Sequence, residues 1–176
     1  MKKTTLMLFA LVISSSAHAI DKFTQVDHAL WRGAGINTPA DYKLLKSKGI
    51  RTIIDLEFPD SQFQSEKSIA KKYGMYDIHY PMYPALYPDE KTVDQLLTLL
   101  TDSRYQPVYV HCAQGKDRTG LIMGLYRIHK MGWDKHKAYA EMLSFGFTTF
   151  FIPLEVFFWD HADPGELSGP GAVLPQ

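Results

Sequence analysis

Short runs of apolar and β-branched residues alternate along this chain with longer stretches of mixed polarity, a pattern that predicts strands separated by helices. Phe23 to Arg32 reads as one or two short strands around a turn. Thr38-Pro39-x-Asp41 has the form of a helix start, with a hydroxyl cap, proline in the first turn and a carboxylate three residues on, and Gly49 ends that helix. Arg51 to Glu57 predicts a strand, Gln62 to Tyr73 a helix closed by Gly74, and Met75 to Tyr80 another strand. Pro81, Pro84 and Pro88 force a loop, because proline has no N–H to give to a helix or a central strand. Asp89 or Glu90 opens a helix through Leu100, and Pro107 to His111 predicts a short buried strand. Thr119 to Met131 reads as a helix closed by Gly132, Asp134 caps another, and a last helix lies near Pro153 to Asp160. The alternation implies a single α/β domain with a mostly parallel central sheet flanked by helices. Ligands of such sheets gather at the carboxyl ends of the strands.

The aromatic run Phe145, Phe147, Phe150, Phe151, Phe157, Phe158 and Trp159 is expected to pack in the core, with some rings walling a pocket. Met123, Leu125 and Ile128 read as the buried side of their helix. With 176 residues, 45% hydrophobic and 22% charged, the chain suits one globular domain. Nineteen basic residues balance nineteen acidic ones, which excludes a broad electrostatic attraction to nucleic acid or an acidic membrane. One cysteine excludes an intrachain disulfide and a cysteine metal cluster, and no motif calls for a metal or cofactor.

Residues 1–19 have the order of a secretory signal peptide: Lys2 and Lys3, an apolar stretch from Leu6 to Ile13, and Ala17-His18-Ala19 as a cleavage site. The apolar stretch is too short for a membrane span. Its removal takes away two lysines and no acid, which leaves a net charge of −2 on an exported, most simply periplasmic, protein. The domain is expected over residues 20–162. Residues 163–176, with three prolines and three glycines, are expected to form a flexible tail.

The chemistry concentrates in His111-Cys112-Ala113-Gln114-Gly115-Lys116-Asp117-Arg118-Thr119-Gly120, which runs from a buried strand into a helix. A tight loop there turns successive backbone N–H groups toward one point at the positive helix end, an anion nest. Cys112 opens the nest and Arg118 closes it, surroundings that favour a thiolate nucleophile aimed at phosphorus. The planar fork of Arg118 can grip two phosphoryl oxygens, and the Thr119 hydroxyl can donate to the sulfur. Ala113, Gln114, Gly115, Lys116 and Asp117 complete the phosphate-binding loop, and His111 is expected to hydrogen-bond within it to hold Cys112.

These residues resemble the cysteine-dependent protein tyrosine phosphatase superfamily, whose signature is His-Cys-x5-Arg-Ser/Thr, with the mid-chain cysteine of its dual-specificity branch. Leu30-Trp31-Arg32-Gly33 and Asp55-Leu56 also look like the small atypical members. The resemblance implies a phosphocysteine intermediate and an aspartate general acid on a loop upstream of the cysteine. Asp89 is the first candidate, 23 positions before Cys112 and so closer than the family's spacing of about thirty. Its alternative role is a helix N-cap. Asp77 and Asp55 fall in strands, and the second candidate is Asp117 inside the loop. Gly115-Lys116-Asp117-Arg118-Thr119 also resembles the loops of inositol-lipid phosphatases and of bacterial tyrosine-phosphatase-like phytases. The implied substrate is an inositol polyphosphate or a lipid headgroup phosphate, with a phosphotyrosine protein as the alternative and a non-catalytic phosphate-binding module as the outside one.

Overall fold

The computed structural model describes residues 20–58, 60–165 and 167. The expected signal peptide therefore lies outside the described residues, as does most of the expected tail. Five strands, β1 (Thr24–Gln25), β2 (Leu30–Ala34), β3 (Thr52–Asp55), β4 (Tyr76–His79) and β5 (Val108–Cys112), form one sheet in the order β1-β2-β5-β3-β4. Only the β1–β2 pair is antiparallel. β5 is central and buried along its whole length, which suits its run of Val, Tyr and Val between two neighbours. Cys112 stands opposite Ala34 of β2, and His111 opposite Asp55 of β3. The carboxyl ends of the three middle strands therefore converge where β5 hands the chain to a helix.

Six helices cover the sheet: α1 (Pro39–Ser47), α2 (Asp60–Lys72), α3 (Glu90–Thr101), α4 (Asp117–His129), α5 (Lys135–Ser144) and α6 (Ile152–Asp160). Their starts follow local chemistry. Thr38 and Asp41 close a reciprocal capping box on α1, Asp89 caps α3 through the Thr92 N–H, and Asp134 caps α5 through the N–H groups of His136 and Lys137. One core layer joins Leu30, Ile54, Val108 and Val110 to α3, α4, α5 and α6, and the other joins Ile53 and Tyr109 to α1 and α2.

α4 begins at Asp117, two residues before the expected start, because the loop itself turns into the first helical residues. Thr119 to Ile128 are all buried, so α4 is enclosed all round rather than on one side. Phe157 and Phe158 are buried against that helix bundle, each contributing about 2–3 kcal/mol of burial. Phe150 departs from the expected core placement: it lies 83% exposed in the turn before α6. Asp163 pairs with Lys135 at 2.8 Å and Leu167 is buried, so these two residues of the expected flexible tail pack onto the domain instead. No helix of the described residues is long and apolar enough to cross a membrane.

Candidate active site

β5 ends at Cys112, whose side chain is 3% exposed on the α4 face of the sheet. Gly115 turns the loop with φ +64°, and a Cβ there would stand 2.6 Å from the Gly33 carbonyl. Glycine is required on both counts, since the loop must lie directly on β2 in a left-handed conformation. The Gly115 N–H donates to the Cys112 carbonyl at 3.3 Å, and the Gly35 N–H to the Ala113 carbonyl at 3.3 Å. Ala113 and Gln114 face solvent, while Lys116, Asp117 and Arg118 are half-buried. Arg118 Nη1 donates to the Leu56 carbonyl at 3.0 Å, which ties the guanidinium to the end of β3 beside the loop. The structure thus brings Cys112, the loop backbone, Lys116 and Arg118 together at the positive end of α4.

Three expectations are altered by the geometry. His111 does not hold the loop. Side chains alternate across a strand, so it points to the opposite face from Cys112. There its Nε2 meets Glu66 Oε1 of α2 at 2.8 Å and its Nδ1 faces Glu57 Oε1 at 3.6 Å. The Thr119 hydroxyl is buried and makes no hydrogen bond, so the expected donation to sulfur is not formed here. Asp89 is the α3 cap: one carboxylate oxygen accepts from Thr92 N–H at 2.8 Å and from its hydroxyl at 2.7 Å. Those two bonds hold its carboxyl below the usual range, the wrong direction for a proton donor near neutrality. Asp117 Oδ1 accepts from Thr148 N–H at 2.8 Å and Thr148 Oγ1 at 3.1 Å, latching the α5–α6 turn to the loop and leaving Lys116 without that partner.

Beneath His111 lies a buried acidic network with no counterpart in the sequence reading. Burial alone would lower the His111 pKa, but Glu57 and Glu66 outweigh it and hold the imidazole protonated, well above its usual range. The same contact lowers Glu57, while burial raises Asp55 and raises Asp77 to about 8. Asp55, Glu57 and His111 each offer one ligand atom within 4.8 Å of the others. A cation is already present there in the form of imidazolium, so the trio reads as an ion-pair network. A cleft of about 430 Å³ beside Ala113 is lined by Asp55, Glu57 and Glu66. Its negative lining repels a phosphate, which is left to approach from the Lys116 and Arg118 side. Glu57 and Glu66 had no local signal: Glu66 is 45 positions from its partner.

The model of a family described as DSP-PTPase phosphatase fused to NAD+ kinase matches residues 2–150. Inositol diphosphatase DSP4 of Arabidopsis thaliana is 28% identical over 109 residues, 60% of this chain and 54% of that protein. Dual specificity protein phosphatase TpbA of Pseudomonas aeruginosa is 37% identical over 70 residues, 40% of this chain and 32% of that protein. The chain spans about half the length, or less, of these curated relatives. The crystal structure of P. aeruginosa TpbA superposes with a TM-score of 0.68 at 24% identity, covering 80% of this chain and 84% of TpbA. The catalytic core of the S. cerevisiae PP-IP phosphatase SIW14 gives 0.69 at 20% identity, covering 83% and 88%. These two likenesses show a shared fold.

Proposed function

This chain belongs to the DSP-PTPase phosphatase family, and we propose that it hydrolyses phosphomonoesters through a phosphocysteine, with inositol phosphates as its substrate class. The observation that carries the reading is the loop itself: Cys112 at the end of the central strand, a short loop leading into the N-terminus of α4, and Arg118 in the first turn of that helix, tied to the Leu56 carbonyl. The Cys112 thiolate attacks phosphorus as the ester P–O bond breaks. The leaving oxygen takes a proton from the general acid, for which Asp117 is the candidate that remains once Asp89 is occupied as the α3 cap. Water then attacks phosphorus and gives a proton to the carboxylate left by the first step, the S–P bond breaks, phosphate is released, and the thiolate and the acid are regenerated. Nest N–H groups and the Arg118 fork stabilise the charge spread over the equatorial oxygens in both steps.

Lys116 supports the substrate class. Its side chain extends along Gly146 and makes no ion pair among the described residues, so it is a second cation at the rim for a neighbouring phosphate. The likeness to inositol diphosphatases agrees with this. Phosphotyrosine is the second reading, favoured by the likeness to TpbA, a relative named as a dual specificity protein phosphatase. Comparing kcat/KM for inositol hexakisphosphate, soluble phosphoinositides and phosphotyrosine peptides tests the choice. Lys116→Ala should reduce turnover of the polyphosphates more than of the peptides, and a uniform loss or a preference for peptides overturns it. We propose export on the strength of residues 2–19; envelope protein beginning at Ile20 supports it, and cytoplasmic protein beginning at Met1 refutes it.

A further inference from the structure

We propose that Arg32 of β2 is a positioning residue for the phosphate loop, holding the Gly115 carbonyl from beneath and placing a fixed positive charge behind Cys112. The inference rests on the phosphatase reading of the loop. Arg32 is 1% exposed, one of the largest fully buried side chains among the described residues. Its Nη2 donates to Gly115 O at 2.9 Å, and the Phe145 ring covers the guanidinium at 3.9 Å. Nε and Nη1 make no hydrogen bond. A buried guanidinium with two unmatched nitrogens is unfavourable for stability, and an apolar side chain of similar volume would serve packing better. Its presence calls for a role other than packing.

Two consequences follow from where it lies. Across a planar trans peptide, the Lys116 N–H points opposite to the Gly115 carbonyl. Fixing the carbonyl on Arg32 therefore aims that N–H away from β2, toward the open side of the loop. The second consequence is electrostatic. Arg32 is opposite Val110 on β5, with Cys112 the next residue on the same face. The charged and titratable groups that act on Arg32 are Glu141 of α5, Arg127 of α4, and Cys112 and Tyr109 of β5. Glu141 is already held by Arg127 through two hydrogen bonds of 2.7 and 2.9 Å. Burial keeps Tyr109 neutral and leaves Arg32, at about 10, still a cation at physiological pH. Two arginines against one glutamate leave one positive charge unmatched on the face of the sheet that carries Cys112. Arg118 adds its charge from the α4 side.

Cys112 is the sole cysteine, so alkylation by iodoacetamide reports on it alone. The full chain and its Arg32→Met, Arg32→Lys and Phe145→Leu variants are compared by alkylation rate against pH and by kcat and KM on p-nitrophenyl phosphate. Arg32→Met should move the alkylation midpoint and the acidic limb of kcat/KM up by about one pH unit and lower kcat about tenfold. Arg32→Lys should restore the midpoint, because the charge remains, but raise KM, because an ammonium does not hold the peptide plane as a fork does. A merely structural role would lower the melting temperature and activity without moving the midpoint. An unmoved midpoint in Arg32→Met, or an equal shift in Arg32→Lys, overturns the proposal. Should Arg32→Met not fold, Phe145→Leu admits water to the guanidinium and should shift the midpoint the same way by less; no shift there overturns it. Alkylation needs no turnover, so an inactive wild-type chain would defeat the phosphatase reading while leaving this result to be read separately.

Discussion

Replacing Asp77 by asparagine should stabilise the protein, and the gain should grow with pH. Asp77 lies in β4, 7% exposed, with neither carboxylate oxygen hydrogen-bonded. Burial, and then the charge of Glu66, raise its pKa from the ordinary 3.8 to about 8, against the opposing pull of His111 and Lys67. The folded state therefore prefers the neutral acid. A raised folded pKa contributes stability that is fully present below the unfolded value near 4 and is lost as pH rises through about 8. At about 1.4 kcal/mol per pH unit, a shift of that size sets a ceiling of about 5–6 kcal/mol. Relaxation and water entry around the carboxylate bring the expected effect to about 2–3 kcal/mol. Asparagine has the same shape and no charge to lose. Urea unfolding at pH 5 and pH 8.5 should show the Asp77→Asn advantage over wild type increasing by about 2 kcal/mol between the two. A difference independent of pH would show that Asp77 ionises freely in the folded protein and would refute its raised pKa.

Arg118→Lys should lower kcat/KM on p-nitrophenyl phosphate about 10²–10³-fold with little change in melting temperature, since one fork grips the phosphoryl oxygens and only a single bond to the Leu56 carbonyl ties it down. Asparagine at position 89 still accepts from Thr92 and at position 117 still accepts from Thr148, so these variants remove a proton and little else. Asp117→Asn should lose at least tenfold more activity on alkyl phosphates than on p-nitrophenyl phosphate, whereas Asp89→Asn, already held ionised as a cap, should not; parallel small losses would eliminate both acids. Glu66→Gln should destabilise by about 3 kcal/mol in urea unfolding at pH 7, because it strips a charged partner from the buried His111. That loss should be full below pH 6.5 and fade as pH rises through the raised His111 value; a loss unchanged at high pH would argue against a protonated imidazole.

What could be read without the structure was set by short-range chemistry. Thr38, Asp89 and Asp134 announce helix starts because a cap bonds to N–H groups two or three residues away. Cys112 to Arg118 announce a phosphate loop for the same reason, as nest, nucleophile and fork lie within seven consecutive residues. The parallel sheet followed from the spacing of strands and helices. Long-range contacts decided the rest. The strand's twofold alternation turns His111 away from the loop it adjoins, but only the fold shows that Glu57 and Glu66 await it there. Phe157 and Phe150 are the same residue type in one aromatic run, and packing against α4 buries the first while the turn before α6 exposes the second. Arg32 reaches Gly115 across 83 residues. Hydrogen bonds and charges act through space, so the partners of a buried group depend on strand order and helix placement, and those exist only once the chain has folded.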